Sequence, residues 1–173
     1  MPTNCKHRWA VRAPILMVVL AAAGSSWAET PRITPSGLPV PRYLSLKYDP
    51  VNARQGPDEE HRLMWTYHAK GLPVQVVAET REWRRICDPN GDLTWVHKRT
   101  TDGKRTVMRV QPGDLPLLAS PRAGARVTAY LRSQAVAGLD RCDKGWCRLR
   151  ADGAKGWAPE TAVWGTAPGP QCR

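Results

Sequence analysis

The sequence predicts an all-β protein made of two tandem small β-barrels behind an N-terminal export signal. Three observations carry this. Landmarks recur at nearly constant spacing: Pro57 and Pro121 are 64 apart, Trp83 and Trp146 are 63 apart, and Trp95 and Trp157 are 62 apart. Short β-branched or alternating runs are broken by turn residues roughly every 8 to 12 positions. No stretch beyond residue 28 keeps a helix-period apolar face, and 16 prolines and 14 glycines work against long helices.

The export signal comes first along the chain. Lys6, Arg8 and Arg12 precede an apolar run, Ile15 to Ala23, with no acidic residue before Glu29. Ser26 and Ala28 are small residues at the −3 and −1 positions of a cleavage site after Ala28, so residues 1–28 are expected to be removed. The run is about half the length of a membrane span, so no stable membrane insertion is expected after cleavage. No cysteine stands at the cleavage point, so a lipid anchor is not expected, and Cys5 would leave with the signal. The expected location is the periplasm, or the medium if secretion continues.

Loss of Lys6, Arg8 and Arg12 lowers the formal net charge from +11 to +8. That balance favours anionic partners, which in an envelope are peptidoglycan carboxylates, lipid phosphates or acidic proteins; it is equally compatible with charge that only maintains solubility. Lys and Arg are scattered rather than striped, which argues against nucleic acid.

A short linker, 29–41, leads to the first copy, 42–104. There Leu63 to Tyr67, Val74 to Ala78 and Trp83 to Cys87 read as strands, and Asp88-Pro89-Asn90-Gly91 reads as the turn before Trp95. In the second copy, 105–166, Arg126 to Leu131, Ala135 to Leu139, Trp146 to Arg150 and Gly156 to Ala158 take the same parts, with Asp152-Gly153 as the matching turn. The copies are coupled through Lys98 to Asp114, and residues 167–173 form a Pro/Gly tail. The chain has no Phe, so Trp is the large side chain available to fill so small a core. Trp95, Trp157 and Trp164 are expected inside, with Trp83 and Trp146, each just after a loop, half exposed.

Cys87, Cys142, Cys147 and Cys172 make an even count for an oxidising compartment. If Lys144-Gly145 is a two-residue hairpin loop, Asp143 faces Trp146 and Cys142 faces Cys147 at a non-hydrogen-bonded position, close enough for a disulfide. Cys87 and Cys172 then pair with each other or stay free. The C-x4-C spacing of Cys142 and Cys147 lacks a second ligand pair, and His61, His68 and His97 do not cluster near it, so no metal is expected. Cys87 with His97 is the one pairing that resembles a thiolate nucleophile, but nothing orients it, and no enzyme activity or cofactor is expected.

The stretch Trp83-Arg84-Arg85-Ile86, a Gly turn, then Trp95-Val96-His97 resembles the bacterial SH3 domain, as does Trp146-Cys147-Arg148-Leu149 followed by Gly153 and Gly156-Trp157-Ala158-Pro159. The lead-in from Gly37 to Lys47, with Val51 to Pro57, is similar to an envelope subfamily of tandem SH3-like repeats. The resemblance spans about residues 37 to 166. It implies two SH3-like barrels and a ligand groove walled by an aromatic at the start of the strand after the second loop. Trp83 and Trp146 match that position. Arg54, Arg85 and Arg148 are the basic candidates beside it; the second copy has no counterpart of Arg54, and Arg84 and Arg85 point to opposite faces of their strand. The mixed-charge loop Gln55 to Arg62 is a further candidate contact or a solvated tip. The expected function is non-enzymatic recognition of peptidoglycan or an envelope protein, the alternative being a regulator or inhibitor of an envelope enzyme.

Overall fold

The computed structural model describes residues 32–172, so the expected signal, 1–28, lies outside the described residues. Strands β1 (Arg32–Ile33) and β2 (Pro39–Val40) form a small ribbon at the start. The first copy follows with β3 (Arg42–Leu46), β4 (Val51–Arg54), β5 (Leu63–Tyr67), β6 (Pro73–Glu79), β7 (Trp83–Cys87), β8 (Leu93–His97), a 3-10 turn (Lys98–Thr100) and β9 (Thr101–Asp102). The second has β10 (Thr106–Met108), β11 (Leu115–Leu118), β12 (Val127–Leu131), β13 (Val136–Asp143), β14 (Trp146–Ala151), β15 (Ala154–Pro159) and a 3-10 turn (Glu160–Ala162). No α-helix occurs among the described residues, and none of their helices is long and apolar enough to cross a membrane.

Turn chemistry sets the strand lengths. Lys144 and Gly145 sit at φ 47° and 78°, and Asp152 and Gly153 at φ 48° and 78°. These left-handed pairs match the twist of tight hairpins. They join β13 to β14 and β14 to β15. The β7–β8 connection is longer and turns on Gly91, at φ 91°.

The duplication is visible in the topology. The first sheet runs β5-β4-β8-β7-β6-β3-β9 and the second β12-β11-β15-β14-β13-β10, the same order with β9 added to the first. All pairings are antiparallel. Even the irregularities recur: the ladder shifts between Ala53 and Arg54 and again between Leu117 and Leu118, then between Val76 and Ala78 and again between Leu139 and Arg141. Each sheet packs its own core. Leu46, Val51, Val74, Val76, Ile86 and Val96 fill the first; Val107, Leu117, Leu131, Leu149 and Ala158 fill the second.

Both cores are mainly aliphatic, with Tyr67 buried in the first and Trp65 packed against it, and this corrects the expected placement of the other indoles. Trp95, Trp157 and Trp164 are half-buried rather than enclosed, and Trp83 is only 8% exposed rather than half exposed. Strand parity is the reason. Thr94 and Val96 are both buried toward the first core, so Trp95 between them must face the other way. Trp157 stands in the same relation to Gly156 and Ala158. Trp146 is half-buried, as expected.

Within the stretch Lys98 to Asp114, through which the copies are coupled, β9 pairs with β3 and β10 with β13. The copies also touch directly. Thr106 Oγ1 donates to the Gly71 carbonyl at 2.7 Å, Met108 packs against the first core, and the rings of Tyr43 and Trp164 meet edge to face at 5.3 Å.

Candidate binding face

In an antiparallel ladder, directly opposed residues share a face. Opposite Trp95 stand Arg54 on β4 and Arg85 on β7, giving the row Arg54–Trp95–Arg85 on the face away from the first core. The second sheet repeats it as Leu118–Trp157–Arg148–Arg141. The Arg141 guanidinium lies 5.2 Å from the centroid of the Trp157 ring, within cation–π range. Among the described residues, Arg85, Arg141 and Arg148 have no side-chain hydrogen bond or ion pair, whereas Arg54 donates to the His61 carbonyl at 2.9 Å. An outward indole bordered by uncommitted guanidinium groups can stack on a flat or apolar group while holding an anionic oxygen.

The five sequence candidates therefore divide. Arg54, Arg85 and Arg148 are brought to indoles, but to Trp95 and Trp157. Trp83 is covered, with its ring 5.3 Å from the His97 ring, and is not an open stacking platform. Trp146 lies opposite Asp143 and Pro159 at the hairpin end of the second sheet. Trp95 and Trp157 were recognisable as repeat landmarks; the parity of Thr94-Trp95-Val96 was the signal that could have turned them outward. His97 is held below its ordinary pKa, by burial first and then by Arg99.

A cleft of about 260 Å³ adjoins the second row, lined by Arg105, Leu139, Asp140, Arg141, Cys142, Glu160 and Thr166. Cys142, Cys147 and Glu160 are the only metal-competent grouping among the described residues. The two sulfurs are joined to each other, so neither is a thiolate ligand. The hairpin register is the expected one, with Asp143 opposite Trp146 and Cys142 opposite Cys147, and the two Cα atoms lie 4.0 Å apart. Cys87 is bonded to Cys172, which closes the open alternative, and it stands opposite Leu93, at the other end of β7 from Trp83 and His97.

The second bond belongs to a strap. Tyr43, Gln75 and Cys87 are directly opposed on β3, β6 and β7, on the face away from the core. Across them runs the tail. Tyr43 Oη donates to the Ala167 carbonyl at 3.1 Å, Gln75 Nε2 donates to the Gly169 carbonyl at 2.7 Å, and the Gln171 amide donates to Gln75 Oε1 at 2.8 Å. Burial pushes the Tyr43 hydroxyl up to about 12, opposed by Arg105, so it remains a donor across the physiological range.

A family model described as Bacterial SH3 domain matches residues 47–103 and again residues 104–165. No curated protein matches the chain. Among solved structures, NlpC2 from Trichomonas vaginalis is 14% identical with a TM-score of 0.32, over 71% of this chain and 47% of that one. NlpC1 from the same organism is also 14% identical with a TM-score of 0.32, over 88% of this chain and 51% of that one. The chain thus spans about half the length of each, and a likeness so distant says nothing about activity. With most of its length matched in two consecutive stretches, the chain belongs to the bacterial SH3 domain family.

Proposed function

We propose that this is an exported, non-catalytic binding protein of the cell envelope, in which each sheet forms the wall of a small SH3-like barrel and the partner is peptidoglycan. The carrying observation is the duplicated outward row of indole and guanidinium, Arg54–Trp95–Arg85 and Trp157–Arg148–Arg141. Bacterial SH3 domains often bind cell-wall material, and a wall polymer offers sugar faces for stacking and peptide carboxylates for Arg. Two disulfides fit an oxidising compartment, and the N-terminal basic-then-apolar pattern supplies the route there.

Sedimentation with isolated sacculi tests the reading. The purified protein should co-sediment at low salt and be released at high salt, with Trp157→Ala weakening retention. If the wild-type protein stays in the supernatant at both salt concentrations, wall binding is wrong, and capture of an envelope protein in parallel would put a regulatory partner in its place.

A further inference from the structure

The two outward faces start from the same plan and end differently. Two residues before Trp95 on β8 comes Leu93, opposite Cys87; two residues before Trp157 on β15 comes Lys155, opposite Arg150. In the first sheet this next row runs on through Gln75 and Tyr43, and it is the row the tail crosses. Gln75 is 1% exposed, with both ends of its amide bonded to the strap. In the second sheet the corresponding row carries the exposed, basic Lys155 and Arg150 and then the half-buried Gly138 and Thr106, and none of the tail's hydrogen bonds among the described residues reaches it.

Charge follows the same division. On the second sheet Arg141, Arg148, Arg150 and Lys155 surround Trp157, and one carboxylate, Asp140, is paired there, with Arg150. On the first sheet Arg54 and Arg85 flank Trp95, and the face ends at His97, 3.8 Å from the Glu82 carboxylate, which also pairs with Lys98. The second face is therefore the more basic of the two, with Arg141, Arg148, Arg150 and Lys155 around its indole against Arg54 and Arg85 around the other.

We propose that the copies have divided their roles: the outer face of the second sheet, centred on Trp157, Arg141 and Arg148, binds a carboxylate-rich peptide, while the equivalent face of the first sheet holds the chain's own C-terminal strap. This rests on the envelope-binding reading and deepens it, because it assigns the ligand to one copy and gives its chemistry. Two guanidinium groups beside one indole suit successive carboxylates on a flexible chain. Arg presents a planar donor fork to each, and the ring packs against the intervening methylenes. Arg150 and Lys155 extend the basic track along the strands.

The experiment is a titration of the purified protein with soluble poly-L-glutamate at low salt, followed by indole fluorescence. Two charge-reversal pairs are compared, Arg141→Glu with Arg148→Glu in the second copy and Arg54→Glu with Arg85→Glu in the first. A third pair, Lys70→Glu with Lys104→Glu, makes the same change in net charge at exposed positions off both rows. Circular dichroism and thermal unfolding establish that each variant is folded, and Trp157→Ala gives a second probe of the site. The second-copy pair should weaken binding at least tenfold, and the other two pairs less than threefold. Equal losses from all three pairs would reduce the effect to net charge and overturn the proposal, as would a larger loss from the first-copy pair. A wild-type protein that sediments with sacculi but ignores polyglutamate overturns this inference and leaves wall binding standing. Polyglutamate binding through the second face without sacculus retention does the reverse.

Discussion

Cys87 and Cys172, 85 residues apart in sequence, are bonded with their Cα atoms 5.7 Å apart, which fixes the end of the second copy to the outer face of the first sheet. Cys142 and Cys147 are only five apart and close a hairpin already held by its own turn. Loop-closure entropy makes the long bridge the more stabilising: about 4–5 kcal/mol for a loop of that length against about 2 for the short one, in the chain-entropy model. Cys87→Ser with Cys172→Ser should therefore lower Tm by more than Cys142→Ser with Cys147→Ser, measured by calorimetry without reductant. Equal shifts would mean that the strap contributes little to the native state.

Glu79 gathers the N-terminal segment onto β6. Its carboxylate, whose side chain is 2% exposed, accepts from Thr34, Ser36, Arg42 and Arg84. Burial alone raises its pKa, and the four donors outweigh burial to bring it from 4.5 to about 2. A depressed folded pKa contributes stability that is present above the unfolded value and lost as pH falls through the folded one. Wild-type Tm should thus decline between pH 4.5 and about 2. Glu79→Gln should be less stable at pH 7 and show a shallower decline over that window; parallel curves for the two proteins would remove Glu79 from the acid response.

Gly156 marks the close approach of β15 to β11 and β12. A Cβ there would sit 2.7 Å from both Leu117 Cβ and Thr128 Oγ1 and 2.9 Å from the Leu117 carbonyl carbon. Backbone cannot yield as a long side chain does, so Gly156→Ala should destabilise the protein by about 1–3 kcal/mol. Urea unfolding with an unchanged m-value is the check. A neutral result would show that β11 can shift without loss.

Trp83 is a structural side chain in this fold. It is covered, packs edge to face on His97, and its amide donates to Thr80 Oγ1 at 3.1 Å. Trp83→Ala should cost about 3–5 kcal/mol of stability, while sacculus retention of the protein that remains folded stays near wild type. A variant of full stability that has lost retention would return Trp83 to the binding site.

Local order in the chain determined a good deal. The strand at Leu63–Tyr67, the Lys144-Gly145 hairpin and the Cys142–Cys147 bridge all depend on residues within a few positions of one another, where turn chemistry and alternation suffice. Tertiary structure decided which face of each strand is inside. Alternation divides a strand into two sets of side chains but does not say which set meets a core; on β8, Thr94 and Val96 take the inner side and leave Trp95 for the other. Only assembly of β4, β7 and β8 placed Arg54, Trp95 and Arg85 in one row. Only the return of the tail across β3, β6 and β7 joined Cys87 to Cys172, because contacts so distant in sequence form when a folded surface exists to receive them.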